Sequence, residues 1–316
     1  MAYHAHRYAA AAAALLLASG VAEARTLEVG PGRAYATPSA AGAAARDGDI
    51  VSIAPGEYFD CVIWTAPNLT IRGEGAADKV LITDKACQGK ALFVITGANT
   101  TVRNLTLTRA RVPDGNGAGI RQEGPNLQVE GVRFVNNQNG ILTSDNPDSR
   151  IVIRNSEFVR NGSCENAGGC AHGVYTGKIA FLRVEGSRFF NTRQGHHIKS
   201  RAAATEVENN DIQDGPDGTA SYEIDIPNGG AVLVRGNTMQ KGPNSENRTA
   251  AVMVGAEGIT QRTPDIIIEN NSFRNDSPAG SALLANRTAT EAVVRNNKLT
   301  GQVRALVGDG TVTPAR

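Results

Sequence analysis

Six-residue segments of one pattern return along most of the chain: VRNLTL at 102, VEGVRF at 129, IRNSEF at 153, VEGSRF at 184, VENNDI at 207, VRGNTM at 234, IENNSF at 268 and VRNNKL at 294. A β-branched anchor is followed two places later by Asn or Gly, and five places later by Leu, Phe, Ile or Met. IRGEGA at 71 is a weaker ninth copy. Successive anchors lie 27, 24, 31, 23, 27, 34 and 26 residues apart. A unit of about 23 residues that tolerates insertions is the mark of a solenoid whose longer loops project from one face.

Alternation around each anchor has a period of two, which is a strand signal. Asn or Gly at the third place suits a turn with positive φ, and stacked asparagines such as Asn209 can hydrogen-bond along the ladder. A second strand recurs ahead of each anchor: GIR at 119, GIL at 140, GVY at 173, HIK at 197, EID at 223, AVM at 251 and ALL at 282. Short strands stacked coil on coil predict an all-β, single-stranded parallel β-helix. Composition agrees, with 35 Gly, 13 Pro, 5% aromatic and 41% hydrophobic residues, too apolar for disorder and too small-chained for a thick core.

The ends also read clearly. Residues 1–24 have a basic start, an apolar run from Ala9 to Ala18 and a closing Ala-x-Ala, the features of a secretory signal, which leaves a β-helix over 25–316 in an exported protein, secreted or periplasmic. That run is too short to span a membrane, so no membrane insertion is expected. A net charge of +1 gives no reason to expect nucleic acid. Four cysteines in an oxidising compartment predict two disulfides, Cys164 with Cys170 and Cys61 with Cys87, the latter 26 residues or about one coil apart. Residues 26 to 58 read as a strand, a short Ala-rich helix closing the open end, and a first rung. The tail after Thr300 offers one more strand, Val303 to Val307.

With its repeats and its A...GD.I.i.pG.Y opening, the chain resembles the right-handed parallel β-helix proteins of the pectin-lyase-like superfamily. The resemblance implies action on long polysaccharides, by β-elimination on uronates or by hydrolysis between aspartates. It also implies a calcium ion in the lyase case, without locating it.

Chemistry is concentrated between residues 172 and 225. All histidines outside the leader, His172, His196 and His197, fall there. Strict alternation directs Ile198 and Ile224 into the coil, and His197, Lys199, Glu223 and Asp225 outward. Stacking of HIK under EID sets Glu223 over His197 and Asp225 over Lys199, about 4.8 Å apart. Arg121 and Tyr175 join the same columns, and Gly119, Gly140 and Gly173 leave the neighbouring column bare, as the floor of a groove. Alternation turns His196 inward unless a bulge intervenes. His172, His196, Arg201 and Tyr222 are further candidate substrate contacts, and the Cys164–Cys170 loop walls the groove.

β-Elimination requires neutralisation of the sugar carboxylate, removal of the C5 proton and stabilisation of the leaving oxygen. Lys199, Arg121 or Arg201 suits the first task, His197 or Lys199 the second, and Tyr175 the protonation. Glu223 and Asp225 are the candidate Ca²⁺ ligands, since hard carboxylate oxygens suit that ion. A glycoside hydrolase would instead use Glu223 and Asp225 as its pair, with Cβ atoms about 6.5 to 7 Å apart. The Asp-Asp pair of polygalacturonase-type hydrolases is absent, which disfavours hydrolysis. Two non-enzymatic readings stay open: a salt-bridged exterior, with a Lys199–Asp225 pair worth under about 1 kcal/mol, and a non-catalytic carbohydrate-binding or surface scaffold protein; in every reading a monomer is expected. SYEID lacks the G-x-S-x-G setting of a serine nucleophile.

Overall fold

The computed structural model describes residues 24–165 and 169–315, so the leader expected over 1–24 lies almost entirely outside the described residues. Three parallel sheets of 12, 10 and 10 strands run the length of a coil. The first opens with Thr26–Val29, closes with Gly310–Thr313 and holds the anchors. These stand in one register column, Val102 beside Val129, then Ile153, Val184, Val207, Val234, Ile268 and Val294. The weak ninth copy belongs to it, because Ile71 pairs with Val102.

Two places after each anchor the backbone takes positive φ, at Asn104, Gly131, Asn155, Gly186, Asn209, Gly236, Asn270 and Asn296. That conformation favours Gly and Asn because other side chains crowd the next carbonyl there. The turn leads into the second sheet, which runs from Gly56–Tyr58 to Lys298–Thr300 and holds the apolar residue five places after the anchor. Phe134, Phe158 and Phe189 stack inside the coil with ring centroids 4.6 and 4.5 Å apart. Each such pair adds about 0.5–1.5 kcal/mol beyond its burial.

The asparagine ladder forms one residue later than expected. The described hydrogen-bond ladder uses Asn210, Asn237, Asn271 and Asn297 rather than Asn209. Each Nδ2 in the buried run donates to an anchor carbonyl below, Asn210 to Val184 at 3.0 Å and Asn237 to Val207 at 2.8 Å, and also to the next asparagine. The positive-φ residue itself sits at the outer edge of the turn, so its neighbour is the one that meets orphaned carbonyls.

The helix Pro38–Ala44 caps the open end, with the Thr37 hydroxyl accepting from the Ala40 N–H. Cys61–Cys87 and Cys164–Cys170 are both bonded. The tail forms two strands, Val303–Val307 and Gly310–Thr313, where the sequence suggested one. The third sheet, from Val62–Trp64 to Val303–Val307, carries the site. Its ALL segment at 282 is shifted by one from the aligned repeats, since Val252 pairs with Leu284. No described helix is long and apolar enough to cross a membrane.

Candidate active site

The third sheet keeps the expected rung alignment, with Ile198 beside Ile224 and Lys199 beside Asp225. Tyr175 stands beside Lys199 on the preceding rung, and Arg121 beside Leu142 two rungs earlier still. Ile198 and Ile224 are buried in the core, so Tyr175, Lys199 and Asp225 share an outward column.

Alternation fails one residue earlier. The register from Ala118–Asn139 to Ile120–Ile141 is unbroken, but Gly119 and Gly140 form no bridge between them, and there the strand turns two consecutive residues into the coil. Leu92 and Phe93, and Ala251 and Val252, occupy the same two places and are all core residues. The Gly119, Gly140 and Gly173 column therefore points inward and does not floor a groove. A Cβ at Gly140 would lie 2.8 Å from the Phe158 ring and 2.4 Å from the Gly173 oxygen, so glycine makes room for the stacked phenyls and the next rung.

His197 and Glu223 follow those glycines and are fully buried, against the expectation that they face solvent. The Thr192 hydroxyl lies 2.7 Å from His197 Nδ1, and Asp214 Oδ1 lies 2.9 Å from Nε2. Burial would raise the Asp214 carboxyl, but the bond from His197, the positive charges nearby and the Gly242 N–H hold it below the usual range. Glu223 Oε2 forms an ion pair, without an aligned hydrogen bond, with the buried Lys241 ammonium at 3.2 Å. Lys241 also donates to the Ser221 and Asn247 carbonyls at 3.0 Å each. Burial drives the Glu223 carboxyl up to about 8. His197 therefore cannot reach substrate as a base, and Glu223 cannot serve as a hydrolase carboxylate.

His196, expected inside, lies ahead of that inward pair and is turned out. The rings of His172, His196 and Tyr222 stack in the other outward column, with centroids 4.8 and 5.2 Å apart, and Tyr175 meets His172 edge-on. His172 Nδ1 accepts from the His196 backbone N–H at 2.9 Å, and His196 Nδ1 accepts from that of Tyr222 at 3.1 Å. Burial, reinforced by cationic neighbours, lowers both imidazoles well below their ordinary value. Being neutral with Nδ1 occupied as acceptor, each carries its proton on Nε2 and presents a donor.

These columns line a cleft of about 750 Å³ that also includes Arg121, Lys178 and Arg201. Gly169 and Cys170 of the disulfide loop border it, as does Glu257. Lys199 Nζ lies 2.5 Å from Glu257 Oε1 and 3.2 Å from Asp225 Oδ2. Arg201 donates through Nε to the Tyr175 hydroxyl oxygen at 3.0 Å and through Nη2 to Glu257 Oε2 at 2.6 Å. Burial lifts the Asp225 carboxyl to about 6 although Lys199 opposes it. Sequence reasoning missed Glu257, Asp214 and Lys241. The last two stand at a place that holds polar residues in other rungs as well, such as Asn191 and Asn275, so they did not stand out, and Glu257 comes from an insertion with no repeat signal.

Glu223 and Asp225 do not fit a calcium ion. One carboxylate is paired inside the coil with Lys241 and the other outside it with Lys199, so their oxygens do not converge. No group of three or more potential metal-binding His, Cys, Asp or Glu residues occurs among the described residues.

A family model described as the right handed beta helix region matches residues 69–212 and 164–313. The chain belongs to the right-handed β-helix family. Among solved structures this β-helix is similar to an alginate lyase from Paenibacillus sp. str. FPU-7, with 20% identity, TM-score 0.68, and 92% of this chain and 98% of that one covered. It is also similar to the pectate lyase Pel9A, with 14% identity, TM-score 0.64, and 94% and 80% covered. ORF18 of Geobacillus virus E2 matches at 12% identity and TM-score 0.53, with 84% and 54% covered. At such identities the likeness establishes the pectin-lyase-like fold alone. No curated protein matches the chain by sequence.

Proposed function

We propose that this β-helix is a secreted lyase that cleaves an acidic, uronate-containing polysaccharide by β-elimination, with Lys199 and Tyr175 as its proton-transfer pair. The observation that carries the reading is their placement: adjacent rungs, one outward column, and a cleft edged by Arg121, Lys178 and Arg201. Two of the structurally similar proteins are an alginate lyase and a pectate lyase.

In this reading the sugar carboxylate lies against the cleft's guanidinium groups, which spread its charge as C5 becomes carbanionic. Lys199 Nζ, held in place by Glu257, takes the C5 proton. The C5–H electrons form the C4–C5 double bond and the C4–O bond breaks. Tyr175 protonates the departing oxygen. Because the Tyr175 oxygen accepts from Arg201, its O–H is free to point into the cleft. The Nε2–H of His172 serves as a fixed donor to a sugar hydroxyl, while that of His196 faces Asp225 Oδ2 at 3.4 Å and orients that carboxylate.

The test is incubation of the mature protein with alginate and pectate. An ultraviolet-absorbing unsaturated product, lost in Lys199→Ala and Tyr175→Phe, supports elimination. Reducing ends without that absorbance would indicate hydrolysis, and retention of polymer with no new ends would indicate a binding protein; either result overturns the lyase reading.

A further inference from the structure

The outward face of the third sheet does not end at the cleft. Past Lys199 and Asp225 the same column carries Met253, Ala285 and Val307. Tyr222, the last ring of the stack, packs against Ala250, Met253 and Ala282. As the side chains shrink the floor drops, and a depression of about 560 Å³ opens over Ala282 and Ala285. Arg287, Arg304, Ser281 and Gln302 line it, and no Asp or Glu is among its lining residues.

The charge is of one sign and unspent. Arg287 and Arg304 are exposed, and neither has an ion-pair partner among the described residues, whereas Lys199 and Arg201 in the cleft are both held by Glu257. Ser281 is 5% exposed, and its hydroxyl has no hydrogen-bond partner. Ala285 and Val307 lie three and four rungs beyond Lys199, about 14 and 19 Å along the coil axis. A polymer lying along the cleft would reach this place several units from the scissile bond.

We infer that the depression is a distal subsite for a uronate of the same bound chain. Arg287 and Arg304 engage its carboxylate, and the apolar Ala282–Ala285 floor meets a face of the sugar ring. The inference rests on the cleft being a uronate site, and it adds a preference for long chains. A guanidinium–carboxylate contact has planar, two-point geometry, so arginine suits this role better than lysine.

The experiment measures equilibrium binding of uronate tetramers and octamers by calorimetry in a Tyr175→Phe background, which removes cleavage. The octamer is expected to bind about tenfold more tightly than the tetramer, a difference of one charge-assisted contact. Arg287→Ala with Arg304→Ala should erase that advantage and leave tetramer affinity unchanged. The advantage should also shrink as salt is raised, because exposed charges are screened. Equal affinity at both lengths, or an equal loss at both in the double variant, would overturn the subsite and leave the cleft reading standing. No binding of either oligomer would overturn both.

Discussion

The first and third sheets put charged residues on the outside of one coil, yet the two outsides behave differently. On the first sheet the column runs Arg103, Glu130, Arg154, Glu185, Glu208, Arg235, Glu269 and Arg295 in register. Most neighbours are opposite in sign and directly adjacent, as with Arg154 and Glu185 at 3.2 Å and Arg295 and Glu269 at 2.6 Å. Such pairs neutralise one another locally, and where both ends are exposed, as in Arg154–Glu185, they contribute roughly 0–1 kcal/mol each. On the third sheet the cations stack with aromatic rings, and much of their compensation comes from Glu257, which is not a rung neighbour. The ladder covers a surface; the cleft leaves positive groups where a ligand can meet them.

The largest effect that would break this contrast is catalytic. Lys199→Ala and Tyr175→Phe should each lower kcat/KM by about 10² to 10⁴, the usual loss for one proton-transfer group, with circular dichroism unchanged. Arg235→Ala, in an equally charged column, should leave kcat/KM as it was. Comparable losses from both sheets would mean that the cleft is not the reaction centre.

Next comes the pair beneath the cleft. Lys241→Met strands Glu223 in the coil and removes donors to the Ser221 and Asn247 carbonyls. Breaking a buried pair costs about 3–5 kcal/mol. The loss should be largest at pH 9, where Glu223 is ionised, and smaller at pH 5, where it is protonated. Lys241→Met combined with Glu223→Leu should recover much of the stability, since an apolar pair needs no partner. Urea unfolding at the two pH values checks both statements.

How far this arrangement is legible in sequence follows from what sets it. The repeat period, turn residues, disulfides and rung alignment are local or periodic, and each could be read before any coordinates. The expectations for His196, His197, Glu223 and the glycine column went wrong together, because each rung turns two consecutive residues inward at the same place, which inverts the faces of every residue ahead of it. A trace of it was present: Leu92-Phe93, Ala251-Val252 and Leu283-Leu284 are consecutive apolar pairs where alternation allows one. Glu257 had no such trace, because its position depends on the path of a loop rather than on the register.

A smaller effect concerns pH. Burial raises the Glu223 carboxyl from 4.5 to about 8, so the folded state binds a proton that the unfolded state has released. Its stabilising contribution is fully present below about 4.5 and is lost as pH rises through about 8. Thermal stability should decline over that window by on the order of a few kcal/mol, and Glu223→Gln, which stays neutral, should flatten the decline. An unchanged slope in the variant would place the titration elsewhere.

The smallest expected effect tests the other side of the comparison. Arg295 donates to Glu269 from the adjacent rung, but its side chain remains 51% exposed, so water already solvates the guanidinium when the bond is absent. Arg295→Ala removes one ion pair whose guanidinium end is solvated, and leaves the largely buried Glu269 with Arg235 as a second, longer partner at 3.8 Å. The cost should be under about 1 kcal/mol and should vanish in high salt. A cost of several kcal/mol that survives salt would mean that the ladder holds the coil together, and that neutralisation along the register, rather than the buried stacks and asparagines, is what keeps the rungs in place.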